Sequence, residues 1–108
     1  MAYTADFTPE TLSRADVDAT RGPLVLEFGT NWCGWCNGAQ PLVRTAFEQA
    51  GAGVPHVKVE DGSGRLLGRS FKVKLWPTLV FLRDGVEVER LVRPQQAGDI
   101  VAALQHIV

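Results

Sequence analysis

Residues 24–28 read Leu-Val-Leu-Glu-Phe, an apolar run broken only by Glu27. A strand that is apolar at successive positions, not alternating ones, is buried on both faces, so it needs a packed layer on each side. Gly29-Thr30-Asn31 turns the chain, and Trp32-Cys33-Gly34-Trp35-Cys36 follows at the mouth of a helical pattern. These five residues hold both cysteines of the chain and two of its three tryptophans. Thiols three residues apart share one face of a helical turn, and the exposed N–H groups at a helix start favour thiolate over thiol. A thiolate beside a second thiol is the minimum equipment for thiol–disulfide exchange.

Element signals surround that core strand. Thr8 and Pro9 suit the N-cap and first position of an opening helix over 6–20, which Arg21-Gly22-Pro23 stops. A long helix is expected over 34–50, with Pro41 inside it as a kink and Gly51-Ala52-Gly53 after it. Residues 54–59 read as a second buried strand, with Lys58 as its odd member. Ser63 can cap a short helix through Phe71, residues 78–82 form a third strand, and Asp84-Gly85 signals a hairpin into an edge strand over 86–92. Residues 97–108 close the chain as a helix. The order α, β, α, β, α, β, β, α implies an α/β fold with a parallel portion and an antiparallel edge. The region of Tyr3 can add a short extra strand.

At 108 residues the chain fits one domain, 1–108, and two cysteines cannot build a disulfide scaffold. A net charge of −1 gives no drive toward nucleic acid or an anionic membrane. No run approaches the roughly 20 apolar residues of a membrane span, and residues 1–6 carry no secretory pattern. A cytoplasmic protein is the expectation. Two other readings of the cysteines stand beside redox chemistry. One is a structural pair. The other is half a zinc site with His56 and His106, which lie about 20 and 70 residues beyond Cys36 without knuckle spacing.

Taken together, these positions resemble the thioredoxin family over nearly the whole chain. Trp32-Cys33-Gly34-Trp35-Cys36 is similar to the family's Trp-Cys-Gly-Pro-Cys motif. Pro41 matches the proline that kinks the active-site helix, and Glu27 and Lys58 match a buried Asp and the Lys that pairs with it. Trp76-Pro77-Thr78 matches an Ile-Pro-Thr segment whose proline is cis, and Asp84-Gly85 matches the hairpin. Four departures stand out: Trp35 for proline, Glu27 for Asp, Gly29 for a large aromatic, and Arg93 for a glycine on a loop facing the active site.

The resemblance implies a thioredoxin fold, a central mixed sheet of four to five strands flanked by helices. It implies a protein-disulfide reductase with Cys33 as nucleophile and Cys36 as resolving thiol. Its redox group is the Cys33–Cys36 disulfide itself, with no other cofactor and no metal. Glu27 relays a proton to or from Cys36, since a desolvated carboxyl holds its proton more tightly, and Lys58 is its partner. Trp32, Gly34, Trp35, Trp76, Pro77 and Arg93 form the substrate surface, where the Trp76 backbone is free to bond an extended substrate chain. Arg93 narrows that groove and sets a positive charge near Cys33. The implied partners are protein disulfides and a separate reductase, and a monomer is expected. An oxidase or isomerase of the same fold, and a non-catalytic binding module, are the alternatives. A glutathione-linked glutaredoxin is disfavoured by Trp76-Pro77-Thr78, since that family usually has Thr-Val-Pro there.

Overall fold

A computed structural model describes residues 3–108. The elements are α1 (Arg14–Ala19), β1 (Pro23–Gly29), α2 (Gly34–Ala50), β2 (His56–Glu60), α3 (Leu66–Ser70), β3 (Thr78–Arg83), β4 (Val86–Val92) and α4 (Ala97–Gln105). The four strands form one mixed sheet in the order β2-β1-β3-β4. The pair β1/β2 is parallel, and β1/β3 and β3/β4 are antiparallel.

The core strand is buried on both faces, as its composition requires. Leu24, Leu26 and Phe28 point to one side and pack with Val80, Leu82, Val17 of α1, and Leu67 and Phe71 in and after α3. Val25 points to the other side, where Leu79 and Phe81 meet Val43, Ala46 and Phe47 of α2 and Ile100 and Leu104 of α4. Glu27 shares the pleat phase of Val25, so its carboxyl is directed into the layer under α2. The parallel β1–α2–β2 unit thereby places the cysteine-bearing end of α2 beside the carboxyl end of β1.

The first stretch departs from the expected pattern. Thr8 does not cap a helix: its N–H donates to Lys58 O (3.2 Å) and its carbonyl accepts from Glu60 N (2.8 Å), a single parallel bridge to β2 at Val59. Pairing with the sheet edge thus outweighs the local Thr-Pro helix signal. The helix starts six residues later, where Ser13 and Asp16 form a capping box. No strand forms at Tyr3, and Met1 and Ala2 lie outside the described residues. Ser63 does not cap α3 either. Arg65 holds the N-cap position without a side-chain bond, and the Glu10 carboxylate accepts from Leu66 N and Leu67 N at 3.2 and 3.1 Å. A carboxylate there satisfies orphan N–H groups and complements the helix dipole.

Candidate active site

Cys33 is the N-cap residue of α2, in extended backbone conformation, and its Sγ accepts from Cys36 N at 3.3 Å. A sulfur that receives an N–H at a helix start is placed to carry negative charge. Both cysteines are free thiols, but they are not equivalent. Cys33 keeps 9% of its surface exposed and Cys36 keeps none. Burial first, and then the hydrogen bond with Cys33, push the Cys36 thiol up to about 12.

The wall behind Cys36 is made by the start of the chain. Phe7, Cys33 and Cys36 form a small buried cluster with Trp76 against it. Asn31 fixes Phe7 as a strand neighbour would: its Oδ1 accepts from Phe7 N (2.8 Å) and its Nδ2 donates to Phe7 O (3.0 Å). This explains Gly29. A Cβ there would lie 2.5 Å from Cys36 Sγ and 2.9 Å from Phe7 Cζ. The missing aromatic at 29 therefore leaves no gap, because Phe7 supplies the ring from elsewhere in the chain.

Glu27 is fully buried and Lys58 nearly so, on adjacent strands in register. Their direct pairing, expected from the resemblance, is not formed, because Gln40 stands between them. Gln40 Nε2 donates to Glu27 Oε2 (3.0 Å) and to Cys36 O (2.8 Å), while its Oε1 accepts from Lys58 Nζ (2.5 Å) and Tyr3 Oη (2.7 Å). Lys58 Nζ also donates to Ala5 O (2.6 Å) and lies 4.3 Å from the Phe7 ring centroid. Burial holds the Lys58 ammonium below the ordinary lysine range, with Glu27 pulling it back up.

The direct partner of Glu27 is His56, whose Nε2 is 2.8 Å from Oε1. Thr4 N donates to His56 Nδ1 at 2.8 Å, so that nitrogen is an acceptor and the ring hydrogen sits on Nε2, facing the carboxylate. With its ring stacked on Phe47 at 4.4 Å, His56 is a core residue, and both of its nitrogens are engaged. Among the described residues no group of three or more His, Cys, Asp and Glu could hold a metal. Gln40 escaped the sequence reading, and His56 entered it only as a zinc candidate, not as the partner of Glu27. A histidine at a strand start carries no role of its own, and Gln40 looks like a helix-surface residue. The one available signal was its spacing, one turn after Cys36.

The outer face is aromatic. Trp32 is 77% and Trp35 54% exposed, so Trp32 points outward, its ring edge-on to Trp76 at 5.8 Å. Trp76 Nε1 donates to Asp61 Oδ2 at 2.8 Å, and the Trp76–Pro77 peptide is cis. The Trp76 carbonyl is not free as expected: it accepts from Arg93 Nε at 2.8 Å. Gly34 and Trp35 line a groove of about 500 Å³ with Gly38, Leu42, Arg93 and Pro94.

A profile of the Thioredoxin family matches residues 5–106. Thioredoxin of Mycobacterium tuberculosis (strain ATCC 25618 / H37Rv) is 25% identical over 93 residues, covering 86% of this chain and 80% of that protein. Thioredoxin of Chlamydia trachomatis serovar D is 35% identical over 74 residues, covering 66% and 69%. Among solved structures, reduced thioredoxin 2 from Pseudomonas aeruginosa PAO1 superposes with a TM-score of 0.83 at 50% identity, covering 96% of this chain and 95% of that one. With two unequal thiols held at the head of a helix in this sheet, the chain belongs to the thioredoxin family and is a thiol–disulfide oxidoreductase that works through a Cys-x-x-Cys dithiol.

Proposed function

We propose that Cys33 is the attacking thiolate and Cys36 the resolving thiol of a protein-disulfide reductase. The observation that carries this reading is the inequality of the two sulfurs: one on a residue that keeps 9% of its surface exposed and with an N–H donated to it, the other fully buried with its thiol pushed up to about 12. Cys33 attacks one sulfur of a substrate disulfide. That S–S bond breaks, the first substrate thiolate leaves and takes up a proton, and a mixed disulfide remains. Cys36 then loses its proton and attacks Cys33 Sγ. The Cys33–Cys36 disulfide forms and the second substrate thiolate departs, also to be protonated. Two electrons and two protons have passed to the substrate.

A thiol held as tightly as Cys36 needs a local base. Glu27 serves as that base through water, with Lys58 reaching it through Gln40. Trp32, Gly34, Trp35, Trp76, Pro77 and Arg93 form the surface on which the substrate chain rests. A separate reductase returns the disulfide to the dithiol. The protein acts as a monomer of one domain, 1–108, in the cytoplasm, and needs no metal or further cofactor.

Reduction of insulin, followed by turbidity, tests the reading. Wild type is expected to be active and Cys33→Ser inactive, while Cys36→Ser accumulates the mixed disulfide. Equal activity in wild type and Cys33→Ser would refute it. The direction of electron flow is read from the reduction potential, expected at about −270 mV, whereas an oxidant would lie at about −120 to −180 mV.

A further inference from the structure

The side chain of Arg93 is anchored at one end and unspent at the other. Val92 pairs with Thr78 at the end of β4, and Arg93 N carries the ladder one step further to Pro77 O at 2.9 Å. The next residue is Pro94, which has no N–H, so the backbone cannot reach the Trp76 carbonyl. Arg93 Nε takes that carbonyl instead, at 2.8 Å, and its guanidinium carbon lies 4.6 Å from the Trp35 ring centroid. The backbone adopts φ +50, a left-handed conformation that an arginine holds only against strain. The position of the guanidinium is thus set before any substrate arrives.

One of five guanidinium hydrogens is used. Among the described residues the other four, on Nη1 and Nη2, meet no acceptor, and no carboxylate lies within ion-pair distance of Arg93. The groove beside it is walled by Gly34, Trp35, Leu42 and Pro94 and holds no acidic side chain. A planar fork fixed at Nε and lying over an indole presents the paired geometry that fits a carboxylate. It stands one residue from the cysteines, because Trp76, whose carbonyl it holds, packs against Cys33 and Cys36. A carbonyl oxygen has two acceptor directions, so Trp76 O can serve a substrate N–H while Arg93 keeps its bond.

We infer that Arg93 is a specificity-determining residue, a preset carboxylate receptor that favours protein disulfides with an Asp or Glu beside the reacting cysteine. This rests on the reductase reading above and names the substrate class for the same site.

The test uses three peptides with one intramolecular disulfide, identical except for Glu, Gln or Lys next to the first cysteine. Pre-reduced protein is mixed with each, and the second-order rate constant is measured. Wild type is expected to prefer the Glu peptide over the Lys peptide by about tenfold. Arg93→Gly, which suits the left-handed backbone, should fall below twofold. Arg93→Lys keeps the charge without the fork and should fall between them. Lys72 and Lys74 lie in the segment that leads to Trp76 and add positive charge near the site, and Lys72→Gln/Lys74→Gln should keep the wild-type preference. Retention of that preference in Arg93→Gly, or its loss in the double lysine variant, overturns the inference in favour of diffuse surface charge. Equal rates on all three peptides overturn it while leaving the reductase intact. No reduction of any peptide by wild type overturns both.

Discussion

His56 Nε2 stands 2.8 Å from Glu27 Oε1, with neither side chain reaching solvent. The geometry gives the carboxylate two donors, His56 and Gln40, and it gives the ring a backbone donor on its other nitrogen. Removing one partner of such a buried pair strands the other. His56→Leu is expected to cost about 3–5 kcal/mol in urea unfolding. The double variant Glu27→Gln/His56→Leu should cost less than the sum of the two single changes. Additive costs would show that the contact carries no coupling.

Gly29 and Gly38 make opposite predictions from the same substitution. A methyl group at 29 collides with Cys36 Sγ and Phe7 Cζ, so Gly29→Ala should lose about 1–3 kcal/mol. At Gly38, inside α2, an added Cβ meets nothing within 4 Å. Gly38→Ala should therefore gain about 0.5–1 kcal/mol through helix propensity. Urea midpoints that move the same way in both variants would contradict the packing described here.

The hidden thiol gives the reduced protein an alkaline signature. Burial pushes Cys36 from an ordinary 9.0 up to about 12, so the folded chain holds this proton more tightly than the unfolded chain does. Its contribution to stability is fully present below about pH 9 and is lost as pH climbs toward 12. Lys58 works in the opposite sense. Burial lowers its value, so the unfolded chain keeps that proton longer, and stability rises as pH climbs through the folded value to 10.5. Cys36→Ala retains the Lys58 contribution, and its urea midpoint should decline less above pH 9 than that of wild type. Mass spectrometry after iodoacetamide treatment near neutral pH should find one adduct, on Cys33. Two adducts at comparable rates would contradict the burial of Cys36.

Ser13 closes a capping box with Asp16, its Oγ receiving Asp16 N at 3.1 Å while Ser13 N donates to Asp16 Oδ2 at 2.9 Å. The helix it starts has six residues and one buried side chain, Val17. Ser13→Ala should cost about 1 kcal/mol in urea unfolding, whereas Thr8→Ala should leave α1 intact. A larger loss of helical signal in Thr8→Ala would return the cap to position 8.

Elements ruled by their own periodicity were legible in the sequence. The observed bounds of α2 and β4 coincide with the expected 34–50 and 86–92, because the apolar stripe, the glycines after Ala50 and the Asp84-Gly85 turn all act locally. The start of α1 was not legible. Thr8-Pro9 carries a correct local signal that a contact with residues 58–60 overrides. The site divides in the same way. Cys33, Cys36 and the tryptophans announce themselves by type and spacing. Glu27 and Lys58 were visible as charges on apolar strands, but their relation was not. Gln40 satisfies both at once, and an amide that uses all four of its bonding directions looks the same in a sequence as one that faces water.

Asn31 pins the Phe7 backbone, but the residues on either side of Phe7 are held by partners far along the chain. Thr4 bonds His56, Ala5 bonds Lys58, and Thr8 bridges Val59. The segment that shields the resolving sulfur therefore lacks its full binding site until residue 60 has been made. During synthesis from the N-terminus, Cys33 and Cys36 emerge and α2 can form while the residues that will cover Cys36 are still undocked. A segment synthesised before the cysteines is thus among the last that can settle, and in that interval both thiols are open to oxidants on the side that Phe7 later closes.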